Sequence, residues 1–157
     1  MKIIQSTNGS EIIVDDCDFD CFAKFSWRIN HYRYAVRQVG SKSQRKCIFL
    51  HSQILKPSRG MRVDHRGRNP LNNRRSNLRE CTASQNLANR PKPIGMTGFK
   101  GVCWSKKARK WMAKITVNYR GIYLGIYSEP RDAVLAYNAA AIKHFGEFAF
   151  VNQVALA

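Results

Sequence analysis

Asp64 and His65 are adjacent; Asn77 follows His65 by twelve residues and Asn86 by twenty-one. These types suit phosphodiester hydrolysis. Such a reaction needs a base to activate water. It also needs a divalent cation to neutralise charge on the phosphate and the leaving oxygen. An imidazole titrates near working pH, so His65 is the candidate base. The Asp64 carboxylate and the Asn86 amide oxygen are hard donors for Mg²⁺, which takes few protein oxygens and keeps several waters. Asn77 is a candidate to fix the His65 ring by hydrogen bonding. His51, upstream, is a candidate supporting residue or a buried structural histidine.

A strand, a loop, a strand and a helix would bring these residues together. MRVDH gives a short apolar step, RGRNPLNNRRSN a polar loop, LRECT a strand and ASQNLANR a helix start. Arginine forks match phosphate oxygens, so Arg74 and Arg75 inside the loop are candidate backbone contacts. Residues 1–50 suggest short strands around one helix. EIIV is β-branched, the acidic DDCDFDCF suits a helix N-terminus, and YRYAVRQV alternates as a half-buried strand does. KCIFLHSQIL predicts a strand running into a short helix, which the residues after Lys56 break.

Pro91, Pro93, Gly95 and Gly98 suggest a stiff linker over 91–97. Beyond it GFKGVCW, WMAKITVN and IYLGIY predict three strands. Trp111, Ala113, Ile115, Val117, Ile122, Leu124 and Ile126 would face inward. Ser128 is a candidate N-cap with Glu129 in the first turn, and Gly146 a C-cap glycine. The alanine-rich helix between them would cover one sheet face. Trp111 and Tyr137 belong with its core.

The chain carries 27 basic and 10 acidic residues, net +17, with a pI near 10.2. That balance implies a polyanionic partner, nucleic acid before membrane. Residues 46–97 are the most basic stretch, with eleven Lys and Arg against two acids. No stretch is long and apolar enough to span a bilayer, and the start lacks a signal peptide's apolar core. A membrane partner is therefore not expected. The five cysteines form no CxxC pair, so structural zinc is not expected and buried free thiols in a reducing compartment are.

VDHRGRNPLNNRRSNLRECTASQN resembles the HNH motif of the ββα-metal nucleases, in the phage and intron homing-endonuclease branch. The resemblance implies one divalent ion, Mg²⁺ or Mn²⁺, held by Asp64 and Asn86. It implies His65 as general base and Asn77 as the residue that orients it. LHSQIL resembles the family's strand-to-helix step, with Ser52 in place of an arginine.

The segment from Gly98 to Asn152 resembles the APETALA/ethylene-response-factor DNA-binding domain, most clearly in YLG, EPRDAVLAYNAAA and FAFVN. That fold lays its sheet in the major groove, which a β-ribbon fits. Its open face would carry Lys114, Thr116 and Tyr123, with Lys100, Trp104 and Lys106 nearby. The arginines of plant members are replaced, so their preferred sequence does not transfer.

Together these features predict an α+β protein. A ββα-metal HNH core over 46–90 carries a β-rich scaffold over 1–45. A three-stranded antiparallel sheet plus one helix follows over 98–157. The expected activity is metal-dependent, site-directed cleavage of double-stranded DNA, homing in type and nicking. The expected protein is cytoplasmic in a phage-infected, prophage-bearing or bacterial cell, as monomer or weak dimer. The alternatives are a catalytically inactive DNA-binding regulator and an RNA-binding protein that stacks bases on an open sheet.

Overall fold

The computed structural model describes residues 1–41, 43–91 and 98–153. All of the expected linker except Pro91 lies outside them. The chain forms two compact units, Met1–Thr82 and Ala83–Ala157.

In the first unit, β1 (Lys2–Gln5) and β2 (Glu11–Val14) form an antiparallel hairpin. Its β-branched residues Ile4, Ile12 and Val14 are buried. Helix α1 (Asp16–Phe22) follows with Asp15 as N-cap and Asp16 and Asp18 in the first turn. Negative charge there suits the helix dipole. Strands β3 (Arg28–Ile29), β4 (Ala35–Val39) and β5 (Lys46–Phe49) make a three-stranded antiparallel sheet in that order. Helix α2 (Leu50–Leu55) starts directly after β5 and ends at Lys56, which is left-handed. Strands β6 (Arg62–His65) and β7 (Leu78–Cys81) close the unit as a second hairpin.

One core joins these elements. Trp27, fully buried, packs with Ile4, Ile12, Val14, Leu50 and Ile54, and its ring nitrogen donates to the Phe22 carbonyl at 2.9 Å. Val63 and Leu78 bring the β6–β7 hairpin into the same cluster. Burial of each such side chain stabilises by about 1.5–3 kcal/mol, which fixes the register of the strand carrying Asp64 and His65.

The second unit begins with α3 (Ala83–Asn89). Strands β8 (Val102–Ser105), β9 (Lys110–Val117) and β10 (Arg120–Tyr127) form an antiparallel sheet with β9 in the centre. Asn118 and Tyr119 both have positive φ in the two-residue β9–β10 turn. That is the twist a tight hairpin favours. Helix α4 (Pro130–Phe145) covers one face, with Val102, Ala113, Ile115, Ala133, Val134, Tyr137 and Ala141 as core.

Four expectations change. Ile126 faces solvent, because the register shifts between Tyr123 and Gly125 and reverses the alternation beyond it; Tyr127 packs inward instead. The α4 N-cap is Glu129 with Pro130 in the first position, one residue later than Ser128. That proline's fixed φ suits a helix start. The first sheet strand starts only at Val102, because Gly101 before it has positive φ and sits against the Tyr137 ring. Of the cysteines only Cys81 is buried; Cys17, Cys21 and Cys47 are exposed on short elements that bury few residues.

Candidate active site

The β6–β7 hairpin pairs Asp64 with Arg79 and His65 with Leu78. Asp64 and His65 are both buried. Arg79 donates to Asp64 Oδ2 from Nε at 2.8 Å and Nη2 at 2.7 Å. The loop from Arg66 to Asn77 folds back on itself. Asn77 accepts from the Gly67 N–H through Oδ1 and donates to the Asn72 carbonyl through Nδ2, at 2.8 and 2.7 Å. Its carbonyl accepts from Arg66 N–H, and Arg68 N–H donates to the His65 carbonyl. Asn77 thus shapes the loop that leaves His65 through backbone groups.

Asn73 lies deeper. It is fully buried, and its side chain donates to the Pro70 carbonyl. Its backbone N–H donates to Ile13, whose own N–H donates to Leu71, so the loop pairs with β2 through a parallel bridge. Asn73 Oδ1 makes no well-formed hydrogen bond, yet the side chain is close enough to His65 to favour its charged form. Two ion pairs brace the same loop. Arg74 Nε donates to Asp15, and Arg75 grips Asp18 with Nε and Nη2 at 2.9 and 2.7 Å. Asp18 is nearly inaccessible, so its carboxylate depends on that partner.

His65 sits in an aromatic cage. Its ring centroid is 5.2 Å from His51, edge to face, and 5.7 Å from Tyr34. Tyr34 and Phe49 hold His51 on two sides at 5.2 and 5.3 Å. Burial pushes the His51 pKa down to about 3, and His65 beside it adds repulsion. Burial also lowers the His65 pKa; Asn73 and Asp64 oppose the shift. Both rings are therefore neutral near pH 7, the state a general base requires. His51 Nδ1 is buried with no hydrogen-bond partner among the described residues.

Among the described residues no three His, Cys, Asp or Glu side chains cluster as a metal cage. Among the described residues of the first unit, the Asp64 carboxylate, His51 Nδ1 and Asn73 Oδ1 are donors such an ion could meet. Such a sparse set fits a hard cation that keeps most of its waters. Asn86 lies on α3 in the second unit, half-buried.

In the second unit Lys114, Thr116 and Tyr123 are exposed; Tyr123 pairs with Lys114 and Gly121 with Thr116 on one face. Met112 and Ile126 pair on that face too. Lys106 is exposed in the β8–β9 turn. Trp104 is not on this face: it pairs with Trp111 on the helix-covered side, half exposed at the rim, with ring centroids 5.2 Å apart. Lys100 is engaged elsewhere. Its ammonium donates to the carbonyls of Leu87, Ala88 and Arg90 at 3.1, 2.6 and 2.7 Å. An ammonium has three N–H donors, and each has a carbonyl.

A protein from Acanthamoeba polyphaga mimivirus named as an uncharacterized HNH endonuclease is 31% identical over 137 residues, 84% of this chain and 69% of the relative. The chain belongs to the HNH endonuclease family. Residues 57–88 match the family described as HNH endonuclease, the segment from the end of α2 through both hairpin strands into α3. "Protein 3.8" of Escherichia phage T7 is 37% identical over 59 residues, and the chain spans 49% of its length. Family membership makes this chain a nuclease by class, with DNA as its partner and a divalent metal as the family's usual cofactor.

For this HNH endonuclease the motif spacing located Asp64, His65 and Asn77 on the hairpin but missed four supporting residues. Asn73 looked like one more loop asparagine, Arg79 like a strand charge, and Asp15 and Asp18 like helix-dipole partners only. The partners of Arg79, Asp15 and Asp18 lie 15 to 60 positions away along the chain, and nothing local signals them. No helix among the described residues is long and apolar enough to cross a membrane.

Proposed function

We propose that this protein is a metal-dependent, site-directed endonuclease of the homing type that nicks duplex DNA. One observation carries the reading: the antiparallel pairing of β6 with β7 holds His65 in a buried cage directly beside Asp64. In this reading His65 Nε2 or Nδ1 takes a proton from the attacking water. Asn77 keeps the loop after His65 in shape, and His51 and Tyr34 hold the ring. Asp64 and Asn86 would hold one Mg²⁺ or Mn²⁺, which when bound supplies charge for the scissile phosphate and the leaving oxygen. The ββα-metal core would occupy 46–90 on the 1–45 scaffold.

The segment after the linker, residues 98–157, would act as an ethylene-response-factor-type module. Lys114, Thr116 and Tyr123 would meet the major groove, with Lys106 on phosphate and Trp104 at the rim. Arg74, whose guanidinium is partly exposed, would add a phosphate contact. Arg75 is already committed to Asp18. One catalytic centre per chain implies a nick, from a monomer or weak dimer.

The Arg79 grip on Asp64 favours a second reading, a DNA-binding regulator without catalysis, because it competes with a metal for that carboxylate. Incubation with supercoiled plasmid in Mg²⁺ or Mn²⁺, with an EDTA control, separates the two. The nuclease reading expects metal-dependent open circle before linear product. Tight, salt-sensitive duplex binding with no cleavage in either metal would leave the regulator.

A further inference from the structure

Lys100 does something its sequence position does not suggest. The last turn of a helix has carbonyls without partners, and a cation there satisfies them and meets the negative end of the dipole. Lys100 places its ammonium on the carbonyls of Leu87, Ala88 and Arg90, at the end of α3. Its backbone is clamped in turn. Lys100 N–H donates to Asn152 Oδ1 at 2.8 Å, Asn152 Nδ2 donates back to the Lys100 carbonyl at 3.0 Å, and Asn138 on α4 holds Asn152 through its backbone. Beside this clamp a cavity of about 260 Å³ lies between Ser84, Leu87 and Ala88 of α3 and Gly101, Ile115 and Tyr137. A helix of seven residues is marginal by itself, so polar anchors weigh heavily in its placement.

We propose that Lys100 is a positioning residue for Asn86: it fixes the end of the helix that carries this candidate metal ligand. The inference rests on the reading of Asn86 as a metal ligand. Lys100→Met keeps the length of the side chain and removes all three donors. Outer-shell partners of metal ligands typically contribute about 10- to 100-fold in metal affinity; Lys100 acts at one further remove, through the helix backbone that carries Asn86, so the smaller end of that range is expected.

The test titrates Mn²⁺ calorimetrically into the full chain without DNA, for the wild type, Lys100→Met, Lys100→Arg and Asn86→Ala. Amide hydrogen exchange over 84–90 and duplex binding in EDTA are measured alongside. The expected result is weaker Mn²⁺ binding and faster exchange in Lys100→Met, with duplex affinity kept. Lys100→Arg, which retains donors and charge, should lose less; it also carries the test should the methionine variant fail to fold. If Asn86→Ala weakens Mn²⁺ binding and neither Lys100 variant does, the inference is overturned and the metal reading stands. If Asn86→Ala leaves Mn²⁺ affinity unchanged, both fail. A Lys100→Met variant that loses duplex affinity with Mn²⁺ affinity intact makes Lys100 a plain DNA contact, against the inference.

Discussion

Arg79 binds Asp64 through two hydrogen bonds that converge on one carboxylate oxygen, and both side chains are almost wholly buried. The pair bridges adjacent strands of the hairpin that carries His65. Breaking a buried pair from one side leaves an uncompensated charge. Arg79→Met should therefore lower stability by about 3–5 kcal/mol, measured by urea denaturation in EDTA. A variant as stable as the parent would show that the pair contributes nothing to the hairpin.

Arg74 and Arg75 are neighbours with different roles. Arg75 closes on the buried Asp18 with two bonds, while Arg74 meets Asp15 with Nε alone. Arg75→Ala should lower stability by about 1.5–3 kcal/mol, the range for a hydrogen bond to a charged group. Arg74→Ala should instead lower the salt slope of duplex binding by about 1. Exchanged outcomes, with Arg75 setting the slope and Arg74 the stability, would reverse the assignment.

His51 links the site to acid stability. Its folded pKa is depressed to about 3 by burial, against an ordinary 6.5. Between those values the unfolded chain binds a proton that the folded chain does not, so stability rises with pH across that window and falls on acidification. The slope from such a group is at most about 1.4 kcal/mol per pH unit. The burial-depressed His65 acts in the same direction. Denaturation midpoints from pH 7 to 4.5 should fall for the wild type and fall less steeply for His51→Gln. Equal slopes would mean the His51 ring is hydrated in the folded protein.

Gly101 has a φ of +77°, and a Cβ there would run into the Tyr137 ring. Gly101→Ala combines overpacking, about 1–3 kcal/mol, with a left-handed backbone. It should destabilise the second unit selectively, seen as a lower melting midpoint by tryptophan fluorescence from Trp104 and Trp111. Full retention of that midpoint would contradict the packing of α4 on the sheet.

Local pattern made much of this legible. The β-branched runs and the alanine-rich α4 were plain in the chain, because each depends on neighbours in sequence. The 12-residue spacing from His65 to Asn77 was also legible, since a hairpin loop fixes it. Ile126 was misplaced because a bulge reverses alternation without changing residue type. Trp104 was read only as lying near the open face; its cross-strand partner Trp111 decides which face it takes. Lys100 had the charge of a phosphate contact, and only the end of α3, ten to thirteen positions earlier, shows where that charge goes.

The most direct test of the account is single-turnover cleavage by His65→Ala against wild type, on duplex DNA under saturating Mg²⁺ or Mn²⁺, with duplex affinity measured in parallel in EDTA. The account predicts metal-dependent strand cleavage by the wild type and its loss in His65→Ala, with duplex binding retained. A His65→Ala variant that cuts at the wild-type rate, or loses cleavage only because it no longer binds DNA, would contradict the assignment of His65 as the base.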